Sequence, residues 1–276
     1  MENFFSIIVP NLNQGKYLEN CLKSIVTQKY KKFEIIILDG GSNDGSLKII
    51  KNYAKKYKNI TYWHSKKDKG QVDAINFGIK KSKGNWITWQ NSDDFFNSRN
   101  VLSILNKFII LNPNKKLFVG NMNIVSKSKK IIKELKYIKP NFYSLLYEGM
   151  TLSNQCSFWK NSLNKELGYL KNYNVDFDYE WYLRILSNYP DCGFHINYSL
   201  GSFRLHQQQK TFKKNKSELE RIKEIKKKYG ISKYQLICLF SKFFLKFKRL
   251  IYYLSIFEFS YVFRGIFYLF FPFLKK

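Results

Sequence analysis

Two adjacent carboxylates, Asp93 and Asp94, follow a short aromatic and β-branched run, Trp86-Ile87-Thr88-Trp89, where it opens into Gln90-Asn91-Ser92. A run of that kind suits a buried strand. In an open α/β sheet, ligands bind in the crevice beyond the carboxyl ends of the strands, so acids there are placed to act on something. Hard divalent cations such as Mg2+ or Mn2+ take carboxylate oxygens and, at phosphate sites, share one or two of them with the ligand's own oxygens. Ser92-Asp93-Asp94 equally suits a solvated turn capping the next helix. Further candidates recur along the chain. Asp39 closes a second apolar run, Asp73 and Asn76 lie three apart and share one helical face, and Asp176, Asp178 and Glu180 cluster before Arg184. Carboxylates in such positions can hold a cation, accept from a ribose or take the proton of a hydroxyl.

The elements that must position these groups alternate. Phe5 to Val9 is apolar and stopped by Pro10; Leu18, Cys21, Leu22 and Ile25 then keep helical spacing. Phe33 to Leu38 reads as a strand, Leu47, Ile50 and Tyr53 mark a helix, and Thr61 to His64 a third strand. A helix over Val72 to Lys81 leads to the strand Trp86 to Trp89. The alternation predicts an α/β fold, a mostly parallel sheet flanked by helices on both faces. Beyond it, a helix over Val101 to Leu111 and strands at Leu117 to Asn121 and Lys130 to Leu135 are expected. Lys213 to Lys228 reads as a solvated helix.

Length and composition bound the function. The 276 residues allow one large α/β domain or a domain with an appendage, and 45% hydrophobic content argues against disorder. The net charge of +28 points to a polyanionic partner: nucleic acid, an anionic membrane surface or a phosphorylated substrate. A chain rich in Asn and Ile also carries excess Lys from compositional bias. Cys21, Cys156, Cys192 and Cys238 lack the spacing of a zinc site or a disulfide framework. The N-terminus reads as a first strand rather than a leader, and no stretch approaches the roughly 18–20 apolar residues of a spanning helix. A cytoplasmic location follows. Residues 231–276 differ in kind, with 16 of the 50 aromatics, eight basic residues and Glu258 as the single acid. Phe240, Phe243, Phe247, Ile251 and Leu254 keep helical spacing, and Lys242, Lys246 and Arg249 recur on another face. That is the pattern of an interfacial helix, peripheral on the cytosolic side of an anionic membrane; a core-packing tail or a homodimer interface fits it too.

Four blocks taken in order resemble the family 2 glycosyltransferases: Ser6-Ile7-Ile8-Val9-Pro10, Phe33 to Ser46 with Asp39-Gly40-Gly41-Ser42-Asn43-Asp44-Gly45, Asp73-Ala74-Ile75-Asn76-Phe77-Gly78, and Asn91-Ser92-Asp93-Asp94. A weaker pair is Asp178 to Arg184 and Phe203-Arg204-Leu205-His206. The resemblance spans about residues 4–210. It implies the GT-A fold, Rossmann-like and nucleotide-sugar-binding, over 1–212, with a nucleotide part to about 120 and an acceptor part to 212, followed by a helical amphipathic tail over 213–276. It implies a donor site of Pro10, Asn11, Asn13, Asp39, Gly41, Asp73, Asn76, Ser92 and Asp93. Asp94, with Asp93 and His206, would hold Mn2+ or Mg2+ across the donor diphosphate, Asp94 being the expected direct ligand. Asp178 would be the base, with Asp176 and Glu180 as rivals because Phe177 stands where relatives carry a Glu. Gly40 stands where many relatives have a second acid. The implied reaction is inverting transfer from a nucleotide-sugar donor, a UDP-sugar, to a saccharide or polyprenyl-diphosphate-linked saccharide acceptor in surface polysaccharide synthesis. A nucleotidyltransferase is the alternative, although Asn11 to Gly15 carries none of the basic, Gly-rich phosphate loop usual there. A nucleic-acid-binding module or a non-catalytic scaffold of the same fold are the others; nucleic acid is not the expected partner.

Overall fold

In the computed structural model, which describes residues 2–173, 176–207, 209, 216–230, 235–255, 257 and 259–270, the alternation is present. It runs β1 (Phe5–Asn11), α1 (Gly15–Val26), β2 (Phe33–Asp39), α2 (Ser46–Lys56), β3 (Ile60–Ser65), α3 (Gln71–Lys81) and β4 (Trp86–Trp89). Every residue of β1, β2 and β4 is buried, which is why these strands read as continuous apolar runs: helices cover both faces. β1 continues through Pro10 to Asn11 rather than stopping at Val9. Pairing with β4 has ended at Ile8, so Pro10 faces a neighbouring strand on one side only, where a missing backbone donor is tolerated.

The second half is β5 (Phe95–Phe96), α4 (Val101–Leu111), β6 (Leu117–Val125), β7 (Ile131–Leu135), α5 (Phe142–Glu148), β8 (Ser157–Lys160), α6 (Ser162–Leu167), α7 (Phe177–Asn188) and β9 (Gly193–Arg204). The nine strands form one sheet in the order β3-β2-β1-β4-β8-β6-β9-β5, with β7 on β6. β1 to β4, β6 and β9 run one way, and β5, β7 and β8 are reversed. β8 pairs Leu117–Val119 of β6, and β7 pairs Met122–Val125 further along.

Three buried indoles join the halves. Trp89 at the end of β4 meets Trp159 of β8 edge-on at 5.4 Å, and Trp159 meets Trp181 of α7 at 6.0 Å. Such pairs contribute about 0.5–1.5 kcal/mol each beyond burial. They fix α7 against the strand end that carries Asp93 and Asp94.

The tail comprises α8 (Lys216–Lys228), α9 (Gln235–Ser255) and α10 (Phe259–Phe270). The expected start of α8 at Lys213 lies outside the described residues. α8 is not the freely solvated helix its charge suggests: Ile225 is fully buried, and Arg221 and Lys228 pair with acids at the start of α7. α9 is tied down by Tyr252, whose hydroxyl lies 2.7 Å from His195 Nδ1, and by Arg249, 2.6 Å from Glu148. No helix among the described residues is long and apolar enough to cross a membrane.

Candidate active site

The strand ends converge on an open cleft of about 420 Å3. Pro10, Asn11 and Leu12 enter it from β1, and Asn91 to Asp94 from β4; Phe177 and Asp178 close it from α7. Of the expected donor residues it gathers Pro10, Asn11, Ser92 and Asp93, and it brings Asp94 and Asp178 to the same space.

The two central acids have different environments. Asp94 is 1% exposed. Its Oδ1 accepts from Arg204 N at 3.0 Å, and its Oδ2 from Gln155 Nε2 at 2.8 Å and Asn91 Nδ2 at 3.3 Å. Burial, then the charge of Asp93, push its carboxyl well above the usual range, against these hydrogen bonds. Both oxygens of Asp94 are therefore engaged, Oδ1 tying the β4 loop to the end of β9 and Oδ2 to the Gln155 side chain. Asp93 keeps more of its side chain open, and its Oδ2 lies 2.9 Å from His206 Nε2. That separation is of hydrogen-bond length. Of the three expected metal residues, Asp94 has both oxygens engaged by protein donors, while Asp93, the more open carboxylate, lines the cleft and contacts His206. No group of three or more His, Cys, Asp or Glu that could hold a metal occurs among the described residues. A cation here needs oxygens from a bound molecule, as Mg2+ at a diphosphate does.

Arg204 organises this corner. Its Nε donates to Asp93 O at 2.8 Å and its Nη2 to Asn20 Oδ1 at 2.6 Å, with the guanidinium 4.9 Å from the Tyr17 ring. Tyr17 in turn lies 4.7 Å from the His206 ring, so the histidine is held by packing as well as by Asp93.

Asp178 sits in the first turn of α7 and lines the cleft. Burial, with a smaller push from Asp176, raises its carboxyl to about 7, and a hydrogen bond from Tyr179 N resists that. A carboxylate titrating near neutrality is suited to proton removal. Its two rivals are engaged elsewhere. Asp176, just before the helix, pairs with Arg221 at 3.2 Å. Glu180, two residues on and so about 200° around the helix from Asp178, is fully buried. It takes Arg184 at 3.0 Å, Tyr229 Oη at 2.9 Å and Lys228 at 3.4 Å.

Several expected donor residues lie outside the cleft lining and bond to protein groups. Asp39 is fully buried beneath the cleft loops and accepts from Asn11 Nδ2 at 2.6 Å, Ser65 Oγ at 2.6 Å, Ser42 N at 2.9 Å, Gly41 N at 3.2 Å and Ser42 Oγ at 2.5 Å. Burial would raise its carboxyl, but these donors outweigh it and hold it low. It positions Asn11, which does line the cleft. Asn13 cross-links loops, taking Ser42 Oγ on its N–H and Asn43 N on its Oδ1. Gly41 supplies a φ of +85° at the turn after β2. Asp73 is exposed in the first turn of α3, favourable to the helix dipole, and stands outside the cleft lining. Asn76 clamps Leu170, donating to its carbonyl at 2.8 Å and accepting from its N–H at 3.0 Å, and stands outside the cleft lining.

The cleft also draws on residues the sequence reading missed. Asp68 comes from the β3–α3 loop, Gln71 from the start of α3, Asn154 and Gln155 from the turn before β8, and Gln209 from beyond β9. Gly40, the missing second acid, leaves room for Asp68: a Cβ there would lie 3.1 Å from Asp68 Oδ2. Asn154 Nδ2 is a buried donor with no protein partner among the described residues, which suits a ligand oxygen. Loop polar residues carry no periodic signal; the Asp68-Lys69-Gly70 turn before a helix start was the one cue available.

Comparison with known proteins bears on the family and the fold. Residues 6–168 match the model of glycosyl transferase family 2, a match that stops short of Asp178 and His206. A PGL/p-HBAD biosynthesis glycosyltransferase of Mycobacterium tuberculosis is 28% identical over 187 residues, covering 67% of this chain and 70% of that protein. S. aureus TarS 1–349 in complex with UDP-GlcNAc superposes with a TM-score of 0.67 at 19% identity, over 80% of this chain and 65% of that one. The chain thus spans just under two thirds of that structure. Mannosyltransferase PcManGT from Pyrobaculum calidifontis, in complex with GDP-Man and Mn2+, gives 0.56 at 16% identity, over 75% of this chain and 59% of that one.

Proposed function

The chain belongs to glycosyl transferase family 2 and is a glycosyltransferase of GT-A fold, and from that premise we propose inverting transfer of a sugar from UDP to a saccharide hydroxyl. The observation that carries this is the meeting, in one cleft, of Asp93, which His206 contacts from behind the lining, and a carboxyl raised to about 7 on the opposite element. The cleft mouth formed by Asn11, Leu12 and Asp68 seats the nucleoside, and Asn154 offers its free amide to the sugar or phosphate. Asp93 and His206 would hold Mn2+ or Mg2+, which when bound neutralises the charge of the departing diphosphate. Asp178 accepts the proton of the acceptor hydroxyl as its oxygen bonds to the anomeric carbon and the bond to the diphosphate breaks. A single displacement inverts that carbon, and a positioned base contributes about 10²- to 10⁴-fold. The UDP assignment draws support from the UDP-GlcNAc held by TarS; the mannosyltransferase holds GDP-Man and makes GDP the competitor.

The tail supports attachment to an anionic membrane surface. Phe240, Phe243, Phe247, Phe257 and Phe263 are each about half exposed or more, interspersed with Lys242, Lys246 and Lys248. Basic residues beside an anionic leaflet add roughly 1 kcal/mol each to what the apolar face provides.

Calorimetric titration with UDP, GDP, CDP and dTDP, with and without Mn2+, tests the donor site. UDP binds in a Mn2+-dependent way, and Asp93→Ala weakens it about tenfold or more, as loss of a charged contact to a cation–diphosphate pair should. Absence of any diphosphate binding by folded protein in Mn2+ would overturn the site. Preference for GDP would overturn the donor.

A further inference from the structure

Tyrosine hydroxyls of the tail grip the segment that leaves β7. Tyr261 Oη on α10 donates to Glu134 O, Tyr253 Oη on α9 donates to Lys136 O at 2.7 Å, and Tyr252 Oη lies 2.7 Å from His195 Nδ1. His195 Nε2 stands 2.9 Å from Asn121 Oδ1, which also accepts from Tyr137 N at 3.1 Å. An amide oxygen that takes a backbone N–H can only accept, so His195 carries its proton on Nε2 and its Nδ1 takes that of Tyr252. The tail thus holds residues 134–137 directly and also through His195 and Asn121 of the sheet.

From Tyr137 the contacts continue to the cleft. Its side chain hydrogen-bonds that of Ser153, Ser153 Oγ donates to Gln155 Oε1, and Gln155 Nε2 donates to Asp94 Oδ2 at 2.8 Å. Neither amide on this route has room to choose another partner. Gln155 is 3% exposed with both ends of its amide committed, and Asn121 is 1% exposed with its Nδ2 given to Asn197 Oδ1 at 3.0 Å. Leaving either amide half-bonded in a buried place costs more than the bond itself contributes. Asp94, at the end of the route, ties the loop that carries Asp93 to the strand end that leads to His206.

Resting on the glycosyltransferase reading above, we propose that the tail completes the donor site: docked α9 holds Tyr137 through Tyr252 and Tyr253, and Tyr137, Ser153 and Gln155 in turn position Asp94, so that metal-dependent nucleotide-diphosphate affinity depends on tail docking. The tail tyrosines, Tyr137 and Ser153 stand outside the cleft lining and act as positioning residues. Linkage makes the effect reciprocal, because whatever factor docking adds to donor affinity, donor binding adds to docking.

The test uses the full chain. Tyr252→Phe/Tyr253→Phe keeps both rings, removes both hydroxyls and weakens Mn2+-dependent UDP binding about fivefold or more. Tyr137→Phe weakens it by a similar factor, and combining all three substitutions weakens it no further, because the route is already broken. Lys246→Ala, on the same helix but off the route, leaves UDP affinity unchanged. Saturating UDP and Mn2+ slow amide exchange in α9 about fivefold in the wild type and not in Tyr137→Phe, a response that a merely structural role for Tyr137 would not give. Unchanged affinity in the double variant, additive losses on combination, or α9 exchange indifferent to UDP would each overturn the proposal. A further readout needs no donor: the Arg204 amide, which donates to Asp94, exchanges about fivefold faster in Tyr252→Phe/Tyr253→Phe. Wild-type protein that bound no diphosphate while showing that change would sink the donor reading and leave the positioning route standing, whereas an unmoved Arg204 amide would sink the route.

Discussion

Replacing Asp178 by Asn keeps its shape and removes its charge, and the structure predicts opposite effects on activity and stability. The carboxyl rises from its ordinary 3.8 to about 7, chiefly through burial. At full conversion that gap corresponds to about 4 kcal/mol held against the ionised folded state. Asp178 keeps part of its surface open to the cleft, so about half, roughly 2 kcal/mol, is the working figure. The sign follows from proton uptake. Between 3.8 and about 7 the folded state holds a proton that the unfolded state has lost, so stability falls as pH rises through that window and is lowest above it. Asn carries no such penalty. Asp178→Asn should therefore gain about 2 kcal/mol at pH 8, a rise in Tm of about 3–4 °C for a chain of this size, shrinking toward pH 5 and vanishing near pH 4. The same variant should lose about 10²- to 10⁴-fold in kcat with the UDP Kd unchanged, while the wild-type rate falls about tenfold per pH unit below 7. Melting curves at pH 5 and 8 and initial rates from pH 5.5 to 9 measure all three. A near-normal kcat for Asp178→Asn would refute the base assignment, and a lower Tm for it at pH 8 would refute the burial argument.

Gly201 faces the backbone of the turn that holds Gln155: a Cβ there would lie 2.2 Å from Gln155 O. Gly201→Ala should cost about 3 kcal/mol in urea unfolding and weaken Mn2+-dependent UDP binding, since Gln155 supports Asp94; unchanged stability would mean the turn is not packed as described. Glu180→Ala strands Arg184 and frees Lys228 and Tyr229, and should cost about 3–5 kcal/mol, while Glu180→Gln, which can still accept from Tyr229, should cost less. Equal, small losses in both would show that the cluster does not hold α8 to α7.

The first four strands and their helices were legible because burial on both faces leaves unbroken apolar runs such as Phe33 to Leu38. β9 was not. Gly193–Arg204 mixes His195, Asn197, Ser199 and Ser202 among its apolar residues, because it pairs with β6 through two register shifts and faces several environments in turn. At the site, residue types and chain order suggested Asp93, Asp94, Asp178 and His206, but division of labour needed three dimensions. Nothing in Asp93-Asp94 says which carboxylate has three protein donors. Nothing in Asp176-Phe177-Asp178-Tyr179-Glu180 says that Glu180 faces Arg184 and α8. Asp39 looked like a ligand contact because its strand end is the right place; the donors around it come from β1, from the turn after β2 and from the end of β3, which the sequence does not show as neighbours.

Asp93 and His206 stand 113 positions apart, and Arg204, which sets the corner between them, closes the last strand. The first half of the molecule thus leaves the ribosome well before the Asp93–His206 contact exists. At about 5–20 residues per second the delay is roughly 6–20 s. A nascent chain in that interval carries Asp93 but lacks both the histidine that contacts it and the arginine that holds its backbone. Completion of β9 and the two residues after it is the event that assembles this corner, which ties its geometry to the arrival of the segment leading into the tail.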